Sequence, residues 1–175
     1  MRHAVALALL LISSPALTVE SALPPRQIVC FTPDEDCTEL VVAEIGKATA
    51  SVIMQSDNHP SQPIVKALVN AKNRGIGINV IFSISQSNKH FAGLDALYND
   101  RVDVWIDRQH AISHNNIIIV DGVTVITGSF NFTKAAQEKN AENLVVLKDA
   151  ALTPRYIENW KRHVGHAEPY TPRSR

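Results

Sequence analysis

No excess of positive charge runs through this sequence. Lysine plus arginine number 17 and aspartate plus glutamate number 17, for a formal net charge of zero. That balance excludes the class of nucleic-acid binders that neutralise many phosphates with a broadly basic surface, so any grip on a polyanion has to come from a local patch. Aromatic residues are scarce, at 6%. Trp105 and Trp160 have no basic residues interleaved around them, so they are expected as core or interface anchors rather than base-stacking platforms. Only two cysteines occur, Cys30 and Cys37. Their spacing is not C-x-x-C and no second pair follows, which argues against a cysteine-based metal site. Beyond the first residues no apolar run approaches the roughly 20 residues that cross a bilayer. Long internal repeats and low-complexity tracts are missing too.

What is present suffices for one globular domain. The 175 residues are 45% apolar and 19% charged, enough for a single core and too few for two domains. The start reads as a targeting segment: Arg2 and His3, an apolar run over Ala4–Ile12, then the small residues Ser13, Ser14, Ala16, Ser21 and Ala22. Residues 1–22 are therefore expected to be a signal peptide, cleaved after Ala16, Ser21 or Ala22, with an uncleaved anchor as the alternative. No integral membrane segment would remain after cleavage. Leu23-Pro24-Pro25 marks a linker over 23–27, residues 28–168 form the domain, and 169–175 are expected as a flexible tail. Export places the protein in the periplasm or outside the cell. In that oxidising setting Cys30 and Cys37 are expected to pair as a disulfide rather than remain free thiols.

Hydrophobic periodicity gives the order of elements. Strands are expected at Ile28–Phe31, Ser51–Met54, Ile76–Phe82, Val102–Ile106 and Leu144–Leu147. Asp121-Gly122 between Ile117–Val120 and Thr124–Thr127 predicts a hairpin. A turn and helix start are expected at Thr32-Pro33-Asp34, with helical spacing from Leu40 to Ala48. A second helix runs from Ile64 to Lys72 and is closed by Gly75. Ala92–Tyr98 predicts a third, and Pro154–His166 a last helix with Tyr156, Ile157, Trp160 and Val164 on one stripe. Early alternation followed by a late hairpin predicts an α/β sandwich with a mixed β-sheet flanked by helices.

The informative stretch is Ser113-His114-Asn115-Asn116-Ile117-Ile118-Ile119-Val120-Asp121, followed by Gly128-Ser129-Phe130-Asn131 and then by Lys139-Asn140-Ala141-Glu142-Asn143. It resembles the phospholipase D superfamily pattern H-x-K-x4-D followed by G-S-x-N, and within it the small bacterial endonuclease branch with one motif per chain. The likeness covers about residues 28–165 and is most specific over 112–147. It implies a phospholipase D-like sandwich and a metal-independent phosphodiesterase, most simply a non-specific endonuclease acting on DNA or RNA through backbone contacts, with no cofactor. A phospholipid is the alternative substrate. His114 would attack phosphorus and form a phosphohistidine, and a second histidine would serve as acid and then base. One motif per chain implies a homodimer sharing one site across a two-fold axis. Asn131 would donate to phosphate oxygens, Ser129 would support the phosphate loop, and Glu142 would orient a catalytic imidazole. Asp121 and Gly128 are expected to be structural.

Asn116 stands where the family pattern has lysine. A neutral amide replaces a full charge beside the phosphate, and losing one such donor lowers rates by roughly 10²–10³. The text also departs from the branch at Gln55-Ser56-Asp57-Asn58-His59-Pro60 and at Ser83-Ile84-Ser85-Gln86. Lys134, Lys139, His90, His110, His163 and His166 match no motif position that would replace the lysine, and are expected on the surface. Two classes of function therefore follow: a secreted phosphodiesterase, or a homologue that keeps the fold and dimer but serves in binding or structure.

Overall fold

Side chains on the central strands alternate between two apolar layers, the period-2 signature of a sheet covered on both faces. The computed structural model describes residues 26–83 and 92–172. Its elements are β1 (Arg26–Thr32), α1 (Cys37–Gly46), β2 (Ser51–Ser56), α2 (Gln62–Asn73), β3 (Gly77–Ser83), α3 (Ala92–Asn99), β4 (Asp103–Asp107), β5 (Ile117–Val120), β6 (Thr124–Gly128), α4 (Lys134–Glu138), β7 (Glu142–Lys148), α5 (Thr153–Val164) and β8 (Glu168–Pro169). The sheet order is β1-β7-β6-β5-β2-β3-β4-β8. The β2–β3 and β3–β4 pairs are parallel and the others antiparallel, so the sheet is mixed.

Val52, Met54, Ile78, Val80, Phe82, Val104 and Ile106 pack with Val41, Ile45, Ile64, Leu68, Leu94 and Leu97, so α1, α2 and α3 cover one face. Ile53, Ile81, Trp105 and Ile117 pack with Tyr156, Trp160 and Val164 of α5 on the other. The expected stripe on the last helix is thus real, and Trp160 also donates its indole N–H to the Met54 carbonyl at 3.0 Å. Among the described residues no helix is long and apolar enough to cross a membrane.

Several boundaries differ from the sequence reading. Thr32-Pro33-Asp34 makes only the turn; α1 begins later, where the Asp36 carboxylate accepts from the Glu39 amide at 2.9 Å. Arg26 and Gln27, expected in the linker, pair with Lys148 and Leu147 as part of β1. Pro169 and Tyr170, expected in the tail, stay on the domain. Pro169 opposes Trp105, and Tyr170 donates its amide to the Val104 carbonyl at 2.8 Å and its hydroxyl to Asp95 at 2.6 Å. The signal peptide lies outside the described residues, as do Ile84–Gln86 and His90. Cys30 and Cys37 are joined as a disulfide and buried, tying β1 to the first turn of α1.

Candidate active site

The strand directions bring the motif to one end of the sheet. Gln55 near the end of β2 opposes Ile117 at the start of β5, Gly128 at the end of β6 opposes Leu144, and Thr32 at the end of β1 opposes Glu142 at the start of β7. Ser83 and Asp107 close β3 and β4 at the same end. Carboxyl ends of parallel strands are where open α/β sheets place their ligand crevices.

The β5–β6 hairpin holds this end in register from the opposite pole. Asp121 sits at φ +52° in its turn. Its carboxylate accepts from the amides of Thr49, Ala50 and Ser51 and from the Thr49 hydroxyl, at 2.8–3.2 Å. Burial alone would raise its pKa; these donors outweigh burial and hold the carboxyl down at about 2. Asp121 therefore welds the turn to the entry of β2. Gly128 lets β6 meet β7: its φ is +152°, and a Cβ there would lie 2.2 Å from the Asn143 carbonyl oxygen. Only glycine fits that approach.

Beyond Gly128 the alternation of a core-facing pair aims Asn131. Phe130 and Phe132 are fully buried and meet edge to face with centroids 5.9 Å apart, so Asn131 between them turns to the cleft. Its side-chain oxygen is the meeting point of the site. His114 Nε2 lies 3.0 Å from it and Asn116 Nδ2 donates to it at 2.6 Å. His114 is exposed, whereas Asn116 is only 4% exposed. Asn116 Nδ2 also faces the Ser129 carbonyl at 3.5 Å, and its own Oδ1 is buried without a hydrogen-bond partner. The surroundings of position 116 thus supply acceptors only, which a donor-only ammonium would satisfy and an amide leaves half unmatched.

Ser129 donates its hydroxyl to Glu142 at 2.6 Å and accepts from the Asn143 amide at 3.1 Å. The second Glu142 oxygen accepts from Asn140 at 2.9 Å. Within one chain Glu142 therefore holds Ser129 and the start of β7, and His114 is not among its partners. His114, Asn116 and Asn131 come together as one unit, and Ser129 with Glu142 forms a second beside it.

Beneath His114 lies a polar layer that the sequence reading did not assemble. Gln55 donates to the Ser113 hydroxyl at 2.7 Å, and the Ser113 amide donates to Ser83 Oγ at 3.1 Å. All three are buried. Gln55 at the end of β2 and Ser83 at the end of β3 thus hold the segment carrying His114. Lys134 is exposed and pairs with Glu138 at 3.6 Å.

His110 is exposed as expected, whereas His163 and His166, also expected on the surface, are partly buried. Although distant in sequence, they converge on Asp107, which is fully buried. His110 Nδ1 and His163 Nδ1 lie 2.9 and 3.0 Å from Asp107 Oδ2. Burial would raise the Asp107 carboxyl, but hydrogen bonds from His163, His110, the Gln109 amide and Ser113 keep it well below the ordinary carboxylate range. His163 also meets the motif segment, with its Nε2 3.3 Å from Asn115 Nδ2. The sequence carries only two i, i+3 pairs, Asp107 with His110 and His163 with His166, and nothing in it joins the one pair to the other.

Comparison with known proteins places these features. Residues 41–164 match the family described as cardiolipin synthase, PLD-like domain. A phospholipase D of Rickettsia felis is 37% identical over 142 residues, which cover 81% of this chain and 71% of that protein. A phospholipase D of Rickettsia conorii is 40% identical over 131 residues, covering 75% of this chain and 66% of that one. The crystal structure of Nuc, a phospholipase D family member from Salmonella typhimurium, matches with a TM-score of 0.78 at 34% identity, over 84% of this chain and 99% of Nuc.

Proposed function

The chain belongs to the phospholipase D superfamily, a family of phosphodiesterases, and from that premise we propose that it cleaves phosphodiester bonds in DNA or RNA as an exported homodimer, through a phosphohistidine and without a metal in the reaction. The observation that carries the proposal is the His114–Asn131–Asn116 unit: an exposed imidazole whose Nε2 is held 3.0 Å from a side-chain amide fixed by a buried neighbour. In this reading His114 Nε2 attacks phosphorus and an N–P bond forms while the P–O bond to the leaving group breaks. The leaving oxygen takes a proton from the second subunit's imidazole. That imidazole then deprotonates a water, whose oxygen attacks phosphorus and releases His114.

The geometry adds one requirement. Nε2 must present a lone pair to attack, so the proton it shares with Asn131 Oδ1 has to move to Nδ1, while the Asn131 Nδ2 amide, which neither His114 nor Asn116 engages, donates to a phosphoryl oxygen. Glu142 holds Ser129 through one oxygen and Asn140 through the other, and each oxygen keeps a second lone pair for an imidazole of the partner. Dimerisation at this end is supported by Ile112, which is 61% exposed two residues before His114. Export is supported by the Cys30–Cys37 disulfide and by the leader-like start.

The second reading is a homologue with little turnover, favoured by the neutral, buried Asn116. Phospholipid cleavage is the third, favoured by the names of the rickettsial relatives. One experiment separates them: the domain is assayed in EDTA on single-stranded DNA and on phospholipid vesicles, beside His114→Ala. Cleavage of DNA lost in His114→Ala supports the nuclease. Cleavage of lipid alone replaces it with the third reading, and inertness toward both leaves binding or structure.

A further inference from the structure

The geometry points to a divalent transition-metal site, suited to zinc, formed by Asp107, His110, His163 and His166 beside the phosphodiesterase motif. The four side chains each present one ligand atom, and these atoms all lie within 4.8 Å of one another. Three imidazole nitrogens and one carboxylate oxygen are a donor set that zinc takes in tetrahedral geometry, with bonds of about 2.0–2.2 Å and so ligand-to-ligand edges of about 3.3 Å. Two edges to Asp107 Oδ2 already approach that value, 2.9 Å from His110 and 3.0 Å from His163, while His166 lies 3.3 Å from the other carboxylate oxygen, Oδ1. Closure needs the imidazoles to move toward one another, and His110 comes from the exposed loop after β4.

Two further observations separate this cluster from an ordinary ion pair. His166 Nε2 is buried and lies 3.3 Å from Asp107 Oδ1, yet off the line of a hydrogen bond, so it has no hydrogen-bond partner. A nitrogen shielded from water and left unsatisfied in a polar cluster calls for an occupant. The three rings also crowd one another, with centroids 5.0–5.4 Å apart. Protonating them all around a single carboxylate sets like charges side by side, whereas neutral imidazoles offer lone pairs to one cation. Binding would release the Nδ1 protons that His110 and His163 now direct at Asp107.

The consequence reaches the motif. A metal on His163 Nδ1 leaves the proton on Nε2, which then donates to the side chain of Asn115, now 3.3 Å away. Asn115 must turn its amide oxygen toward the ring. The ion would thus fasten the end of α5 to the residue adjoining His114, with Asn115 as the outer partner that metal-bound histidines ordinarily have. The site shares no ligand with the His114 unit, so its test stands whether or not the chain cleaves phosphodiesters.

The probe is Co²⁺, then Zn²⁺, added to untagged, EDTA-stripped and desalted protein. The expected result is one ion per chain, with the visible absorption of four-coordinate cobalt, displaced by zinc. A hundredfold excess of zinc over its Kd raises Tm by roughly 5–10 °C. His110→Ala and His163→Gln each weaken binding by roughly 100-fold or more, and His114→Ala leaves it unchanged. His110 is exposed, so its replacement tests the site without threatening the fold. A natively folded protein with no cobalt spectrum and no shift in Tm overturns the proposal and leaves an imidazole–carboxylate ion-pair cluster. Binding that survives His110→Ala combined with His163→Gln, or that is lost in His114→Ala, overturns it as well.

Discussion

Placing lysine at position 116 tests whether the motif faces a phosphoryl group. The native amide donates to Asn131 Oδ1 at 2.6 Å and faces the Ser129 carbonyl at 3.5 Å, while its own oxygen has no hydrogen-bond partner. In Asn116→Lys the ammonium keeps donors for both acceptors, removes the orphaned oxygen and adds a charge. A unit charge about 4 Å from a phosphoryl oxygen at an effective dielectric near 20 is worth about 4 kcal/mol, and each 1.36 kcal/mol of it that acts on the transition state is tenfold in rate. Because part of that attraction also binds the ground state, the gain per site is expected at roughly 10²–10³. Two copies at a shared site raise it toward about 10⁴, short of full additivity because the groups are coupled. The position is 4% exposed, so an unpaired charge there should destabilise the free protein by about 1–3 kcal/mol. Inorganic phosphate should recover that loss. The assays are cleavage of single-stranded DNA in EDTA and thermal melting with and without phosphate, with Asn116→Lys/His114→Ala as the inactive control. A folded variant that is no faster than the native chain and no more sensitive to phosphate refutes the reasoning.

Gly128→Ala forces a Cβ to within 2.2 Å of the Asn143 carbonyl at φ +152°. Strain and overpacking together should cost about 3–5 kcal/mol, read as a fall in Tm of roughly 6–20 °C; a fall under about 3 °C would mean that β6 and β7 part easily. Asp121 makes an acid-sensitive contribution. Its carboxyl is held at about 2, below its ordinary 3.8. The stabilisation is therefore complete above the unfolded value and fades as pH falls from about 4 through about 2. Asp121→Asn should be less stable by about 1–3 kcal/mol at pH 7, and urea midpoints of the two proteins should converge near pH 2. Parallel pH profiles would show that Asp121 is not the titrating anchor.

Much of the fold was legible because it rests on local patterns. The β-branched runs around Asp121-Gly122 gave the hairpin, and the stripe ending in Val164 gave α5. The motif was legible too, since His114, Asn116, Gly128, Ser129 and Asn131 lie close in sequence and the hairpin must bring them together. What escaped was set by distant contacts. β8 is two residues long and exists only because β4 offers it an edge. α4 is five residues, started by the Thr133 hydroxyl accepting from the Ala136 amide, and is too short to show periodicity. The Asp107 cluster joins the end of β4 and the loop after it to the end of α5 on the same face of the sheet, 56 residues on, and each histidine alone reads as an ordinary surface residue. Nor could the sequence say that Asn116 is buried, or that Glu142 turns to Ser129.

Strand polarity also decides where anything attached to this domain can sit. Along β1 the chain runs from Arg26 opposite Lys148 to Thr32 opposite Glu142, so it enters the sheet at the pole remote from His114. β8 begins at Glu168 opposite Ile106, next to Asp107, and Tyr170 is already back beside Val104, so the chain leaves toward that same remote pole. Seven strand residues at about 3.3 Å each separate the two poles by roughly 20 Å. A group attached at Arg26, or just after Tyr170, would therefore sit behind the domain and leave the His114 end facing outward.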